Sequence, residues 1–328
     1  MIVTRNCYSG RNRPGHDYPR MRVAALDLGT NTFRILIAEV ADGSVQILAK
    51  DQIITRLGGG YDEKAGRLSD EGMERSLAAL RKFAKEIARH KPEKVRAAAT
   101  EIVRRAHNGG DFCKRVKRET RIEIEVIEAK EEAALAFSGI SAYLPSSIES
   151  PFVTLDVGGG STEWAGGEAG GRMIGWISLP LGVVELSEKT LMGDPPTAGS
   201  LECAERQVWE AIEEVPRNIG IEQPVEVVVG AGGTATSLAV LDMGLTEYDV
   251  DRVQNHRIPV KRIEALERRL GEMTFNERAG LFPLTGGRED VIIPGAIITR
   301  VSLKRFGAKE LLVSDAGLLE GLLMAAAH

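Results

Sequence analysis

The sequence predicts an α/β fold in two domains, and three observations carry that prediction. Apolar, β-branched runs alternate with stretches of helical period along almost the whole chain, the pattern of sheets flanked by helices. One motif occurs twice: an apolar run ends in Asp, then glycine, then small hydroxyl residues. It reads VAALDLGTNT around Asp27 and VTLDVGGGST around Asp156, 129 positions apart (27 to 156). Between the two lies PSSIESP, residues 145–151, a Ser/Pro segment that interrupts the periodic pattern and sets the domain boundary at 148/149.

Residues 1–20 carry Arg5, Arg11, Arg13 and Arg20 with two prolines and no apolar core. They are not a secretory signal and read as a disordered extension, with the first domain spanning 21–148. From Arg22 three strands follow, VAALDL, FRILIAEV and SVQILAKDQIITRL, with turn signals at Gly29 and at Asp42-Gly43. Ser69 is placed to cap a helix that runs to about His90, because Asp70 and Glu71 suit its first turn and Met73, Leu77, Leu80, Phe83, Ala84 and Ile87 recur at helical spacing. A strand VRAAAT, a basic helix over about 102–118, a strand IEIEVIEA and a helix KEEAALAFSGISAYL complete the domain.

The second domain, 149–328, repeats the order. VTLDV is followed by a Gly-rich connection, MIGWISLPLG, a helix over about 198–217, the strand VEVVVG and further helical segments. A helix over 289–306, the strand-like ELLVSD and a final helix over 317–327 close the chain. That last helix can pack back onto the first domain, and the repeated order predicts duplication at the level of topology.

With 328 residues, 43% hydrophobic and 27% charged, the chain falls in the class of soluble globular proteins. A net charge of -5 excludes broad nucleic-acid binding, so an anionic ligand has to be met by a local patch. Cys7, Cys113 and Cys203 are too scattered for a disulfide framework or a zinc site, which predicts a cytoplasmic protein. None of the five histidines has metal-ligand spacing. No apolar stretch is long enough for a membrane span, the C-terminal one being broken by Asp315 and Glu320.

The repeated motif has the grammar of a phosphate-facing turn. A strand delivers Asp27 or Asp156 at its end, where a carboxylate can hold a hydrated cation, and the glycines let N–H groups approach a phosphate. A glycine-rich hairpin loop is the plainer alternative for GGGST alone. A third instance, with Gly232, Gly233 and Thr234 after VEVVVGA, lacks the acid and fits a phosphate or nucleotide contact. On the residues alone, Glu131-Glu132 reads as a solvated first helical turn.

Taken in order, ALDLGTNTFRILIAEV, AATEIVRRAHNGGDF, IEVIEAKEEAALAF, DVGGGSTEW, GAGGTATSLA and VSDAGLLEG resemble the Ppx/GppA family of exopolyphosphatases and guanosine pentaphosphate phosphohydrolases. The resemblance implies two ribonuclease H-like (actin-like ATPase) domains with an interdomain active-site cleft, in a short, two-domain member. It implies Glu132 as the carboxylate that activates water, Arg104 as a phosphate-binding guanidinium, and Asp156 with Glu163 as groups that position metal or water. Asp27 is the metal-associated counterpart of Asp156. Thr30, Asn31, Thr32, Gly158, Gly159, Gly160, Ser161, Thr162, Gly232, Gly233 and Thr234 are the implied phosphate donors. Mg2+ or Mn2+ is the implied cofactor, inorganic polyphosphate or guanosine pentaphosphate the substrate, and a homodimer occurs in the family. Asn108 and Gly58–Gly60 lie in segments that border the family's cleft, and six basic residues near Arg104 could guide a polyanion. Ala134, Glu185 and Leu319 stand where relatives carry Arg, which weakens the expectation of a long polyanionic chain. A kinase or a nucleotide-binding sensor of the same superfamily is the competing reading.

Overall fold

The computed structural model describes residues 7–8, 20–41, 44–62, 64–168, 170–284 and 287–327. The chain divides into two compact units, Met1–Gly139 with Leu318–His328, and Ile140–Gly317. The division falls at 139/140, inside a helix, rather than at the Ser/Pro segment read as the boundary.

The first unit begins with β1 (Cys7–Tyr8), β2 (Met21–Leu28), β3 (Thr32–Ala41) and β4 (Ser44–Ile54). Then come α1 (Asp70–His90), β5 (Lys94–Ala99), α2 (Glu101–Arg105), α3 (Gly109–Thr120), β6 (Ile124–Val126) and α4 (Ala129–Ala142). The strand order is β1-β4-β3-β2-β5-β6. β2, β3 and β4 pair antiparallel through short turns, while β5 and β6 join parallel, each arriving through a helical crossover. The period of two in β2 and β3 sends Leu26, Leu28, Phe33, Ile35 and Ile37 to one face, against Leu77, Leu80 and Phe83 of α1 and Phe112 and Val116 of α3. Ser69 does cap α1, its Oγ accepting from the Gly72 N–H at 3.2 Å.

Three readings of this unit need correction. Of residues 1–20, expected to be a disordered extension, Cys7 and Tyr8 form β1 and pair antiparallel with β4, Arg20 lies 3.8 Å from Glu39, and the others lie outside the described residues. The basic helix of 102–118 is two helices broken at 106–108, because the Asn108 side chain turns away to grip the Leu68 backbone. The strand expected over IEIEVIEA is paired only at Ile124–Val126.

The second unit contains β7 (Phe152–Val157), β8 (Thr162–Glu168), β9 (Arg172–Leu179), α5 (Val183–Thr190), α6 (Ala198–Ala211), α7 (Val215–Ile219) and β10 (Val227–Ala231). It continues through α8 (Gly232–Met243), α9 (Val250–Val253), β11 (Arg257–Pro259), α10 (Val260–Gly271), α11 (Phe275–Ala279), α12 (Ile292–Arg305) and β12 (Glu310–Val313). The strand order β11-β12-β10-β7-β8-β9 repeats the first sheet: β7, β8 and β9 antiparallel, then β10 and β12 parallel, with β11 added at the edge. This is the ribonuclease H-like topology, present twice. The Gly-rich connection after VTLDV is a full strand, β8, and the helix expected over 198–217 breaks before Pro216, which supplies no N–H to continue it. α12 is buried nearly all round; its Arg300 is satisfied by Glu267 at 2.7 Å and Glu205 at 2.9 Å.

The chain then returns to the first unit as α13 (Leu318–Ala327). Leu319, Leu322 and Leu323 cover the second face of the first sheet, where Val23, Ala25, Leu36 and Ala38 point. Gly321 is required there: a Cβ would sit 1.9 Å from the Leu135 carbonyl oxygen of α4.

Candidate functional site

Each unit carries the predicted turn at the C-terminal end of its central strand, and the two turns are built alike. The Gly29 N–H donates to the Thr32 carbonyl at 3.2 Å, and at the same offset of 129 the Gly158 N–H donates to the Ser161 carbonyl at 2.9 Å. The chain after the third strand then satisfies the turn's carbonyls. In the first unit Gly58 N–H donates to Thr30 O, and Thr55 and Arg56 N–H both donate to Asn31 O. In the second, Val183 and Val184 N–H donate to Gly158 O and Gly159 O. Gly182 permits this approach, since a Cβ on it would lie 2.1 Å from Gly159 O.

With the carbonyls engaged, the N–H groups remain. Those of Thr30, Asn31, Gly159 and Gly160 have no hydrogen-bond partner among the described residues, and all four residues are exposed. Both turns are the hairpin loops of their sheets, as the plainer reading had it, and their successive exposed N–H donors are placed to meet an anion.

The side chains beside the turns differ in sign. Antiparallel register sets Asp27 opposite Arg34 on β2 and β3, and Asp156 opposite Glu163 on β7 and β8. Asp27 is 5% exposed and lies 3.4 Å from the Arg34 guanidinium. Asp27 therefore has a guanidinium opposite it and not a second carboxylate. Asp156 has instead a second carboxylate opposite, and Glu163 Oε1 accepts from Ser161 Oγ at 2.5 Å and Ser178 Oγ at 2.7 Å.

Asp156 also lies against the start of α8. Gly232 adopts φ +77, and a Cβ there would fall 2.3 Å from Asp156 Oδ1, so only glycine leaves room for that carboxylate. The next residue, Gly233, is covered by Arg288: its carbonyl accepts from Arg288 Nη1 at 3.3 Å, and the same nitrogen donates to Ser237 Oγ at 2.8 Å. The Arg288 loop is held in turn by Glu289, whose Oε2 accepts from the Gly287 and Arg288 N–H groups.

In the first unit the structure separates the two acids of the Glu131-Glu132 pair. Arg96 donates to Glu131 at 2.6 Å and also to Glu125. Burial opposes the charge on Arg96, but these hydrogen bonds outweigh it and hold the guanidinium above its ordinary pKa. Glu132, one position on and about 100° round the helix, lies instead 3.6 Å from Arg104. Arg104 Nη1 is anchored to the Ile127 carbonyl, so the helix α2 and the entry to α4 together fix the Arg104–Glu132 pair.

Several expected contacts turn out to be structural. Thr162 is fully buried and its hydroxyl donates to the Leu181 carbonyl, and the Thr234 hydroxyl donates to the Val157 carbonyl at 3.0 Å. Neither hydroxyl is a phosphate donor, although the backbone positions stay beside their turns. Asn108 is 4% exposed and occupied with Leu68. The basic cluster around Arg104 is largely neutralised: Lys114 by Asp111, Arg115 by Glu74 and Glu119, Lys117 by Glu123. Leu319 is a core residue of α13, so no guanidinium fits in its place without rebuilding that face. The sequence reading missed Arg34 and Arg288. Arg34 had a signal, since the hairpin centred on the Gly29–Thr32 turn sets it opposite Asp27; Arg288 had none.

Among the described residues no group of three or more His, Cys, Asp or Glu side chains is gathered to hold a metal ion, and no helix is long and apolar enough to cross a membrane. Asp156 with Glu163 nevertheless suits a cation that keeps several waters and takes phosphate oxygens for its remaining positions.

The sequence model of the Ppx/GppA phosphatase family matches residues 36–328. Exopolyphosphatase 2 of Mycobacterium tuberculosis is 36% identical over 319 residues, spanning 93% of this chain and 98% of that protein. The crystal structure of the Aquifex aeolicus Ppx/GppA family member is 34% identical and superposes with a TM-score of 0.84 over 94% of this chain and 98% of its own. An exopolyphosphatase structure from Cytophaga hutchinsonii, 24% identical, has the same fold, with a TM-score of 0.83 over 93% of this chain and 97% of its own. The chain belongs to the Ppx/GppA phosphatase family.

Proposed function

We propose that the protein is a divalent-metal-dependent phosphoanhydride hydrolase that releases terminal orthophosphate from inorganic polyphosphate. The observation that carries this reading is the pairing of Glu132 with Arg104 while Glu131 is committed to Arg96. A water-activating carboxylate is needed for hydrolysis and is superfluous in a protein that only binds a phosphate.

In this reading each unit carries its own pair of exposed N–H groups suited to non-bridging phosphate oxygens, Thr30 and Asn31 in the first and Gly159 and Gly160 in the second. Glu132 orients a water and accepts its proton as the oxygen attacks the terminal phosphorus. The P–O bond to the chain breaks in line, orthophosphate departs, and the shortened chain keeps the bridging oxygen. Arg104 stabilises the charge on the transferred phosphoryl oxygens, its planar fork suited to two of them. Asp156 and Glu163 would hold Mg2+ or Mn2+, which when bound neutralises charge on the phosphate oxygens. Guanosine pentaphosphate ends in the same anhydride and meets the same donors.

The test is phosphate release by the purified protein with Mg2+ from long-chain polyphosphate, tripolyphosphate, guanosine pentaphosphate and ATP, with Glu132→Ala alongside. Release from polyphosphate that Glu132→Ala abolishes supports the assignment. A folded wild-type protein that releases phosphate from none of them refutes it.

A further inference from the structure

Four described non-glycine residues have a positive φ: Arg56, Lys91, Arg121 and Asn255. Lys91 and Arg121 are helix C-caps whose N–H groups close α1 and α3, and asparagine tolerates the left-handed region. Arg56, at φ 48, has neither reason.

Its conformation is imposed by a clamp. From α1, Arg75 Nε donates to the Thr55 carbonyl and Arg75 Nη2 to the Arg56 carbonyl, both at 3.0 Å. From the other side the Arg56 N–H donates to the Asn31 carbonyl at 2.9 Å. The segment carries a second irregularity, since Thr55 Oγ1 is buried with no hydrogen-bond partner. Strain and an unsatisfied hydroxyl at adjacent residues persist only where surrounding structure forces them, and such places cluster at functional sites. What the clamp holds is a cation: Arg56 is exposed and its guanidinium makes no ion pair or hydrogen bond among the described residues. It stands one backbone hydrogen bond from the turn that presents the free Thr30 and Asn31 N–H groups.

We propose that Arg56 is a substrate-binding residue that contacts the non-bridging oxygens of the phosphate chain beside the Thr30–Asn31 turn, and that Arg75 is its positioning residue. The proposal rests on the phosphate-binding reading of that turn. Neither residue takes part in activating water, so both act on binding rather than on turnover at saturation.

The experiment measures tripolyphosphate binding by calorimetry without divalent metal, and KM and kcat for polyphosphate with Mg2+, for wild type, Arg56→Gln, Arg56→Gly and Arg75→Gln. Loss of one charge-assisted guanidinium–phosphate contact weakens binding by about tenfold to a hundredfold. Arg56→Gln and Arg56→Gly are expected to show that loss, with KM raised and kcat kept. Arg56→Gly removes the strain as well, so its Tm should equal or exceed that of wild type, separating lost contact from misfolding. Arg75→Gln should weaken binding although Arg56 is intact. Wild-type binding in a folded Arg56→Gln overturns the proposal alone, whereas a wild type that neither binds nor hydrolyses polyphosphate overturns it together with the function it rests on.

Discussion

Replacing Gly232 with alanine tests whether the start of α8 and Asp156 form one unit. Two costs are separable. Any L-residue at φ +77 is strained by about 1–2 kcal/mol. The new Cβ also starts 2.3 Å from Asp156 Oδ1 and 3.1 Å from its Cγ, so the carboxylate must retreat by roughly 1 Å to regain van der Waals distance. A displacement of that size in a catalytic constellation costs on the order of 10²-fold in rate. Gly244→Ala is the control, because Gly244 has φ +62 at the other end of the same helix and nothing within 4 Å of a Cβ. Both variants are expected to lose about 1–2 kcal/mol in urea unfolding, and only Gly232→Ala should lose phosphate release, by about a hundredfold. If Gly232→Ala keeps more than half the activity of Gly244→Ala, the close approach to Asp156 has no bearing on function and the reasoning fails.

Glu131→Gln should leave phosphate release near wild type, since Arg96 keeps Glu125, whereas Glu132→Gln should lower kcat by about 10²–10⁴-fold; equal losses would show that the two acids are not separated as described. Asp156→Asn should raise the Mg2+ concentration needed for half-maximal activity, and Asp27→Asn should not, which a metal titration of both decides. Arg300→Met should destabilise the protein by about 3 kcal/mol, read by urea unfolding, because it strands Glu267 and Glu205. The hydrogen bond from Arg300 holds the Glu205 carboxyl below the usual carboxylate range. Its folded pKa is thus below its unfolded one, so the pair stabilises fully above the ordinary carboxylate pKa of about 4.3 and that contribution is lost as pH falls through the depressed value. Wild type should therefore lose stability to acid more steeply than Arg300→Met between pH 5 and 3, a range set by that ordinary value at about its centre.

The motif turns were legible because they are local: Asp27-x-Gly29 and Asp156-x-Gly158 encode a strand end and a tight turn within a few residues. The signs of their neighbours were legible in part, since hairpin register alone pairs Asp27 with Arg34. β8 was not, because Ala165, Gly166 and Gly167 erase the alternation that marks a strand. Gly166 answers to the C-terminal end of α7 and the residues after it: a Cβ there would fall 2.5 Å from Ile221 Cγ1 and 2.9 Å from the Ile219 carbonyl oxygen, and one on Gly175 of β9 would fall 2.9 Å from the Ile219 backbone. The break at Asn108 depends on Leu68, forty residues away, and the placement of Arg288 over Gly233 spans fifty-five. Contacts of that separation leave no periodic trace. The helical period of α4 did place Glu131 and Glu132 on different faces, but only the structure supplies Arg96 for one and Arg104 for the other.

The return of α13 to the first sheet sets an order of assembly. The second unit is a continuous stretch of chain, so a ribosome delivers it whole before Leu319, Leu322 and Leu323 emerge. The first unit, begun earlier, has only Ile127 and Leu135 over one face of its sheet throughout that interval, without the cover of α13. The unit begun first thus waits for a helix made after the whole of the second, and Val23, Ala25, Leu36 and Ala38 lack their full cover until α13 emerges from the ribosome.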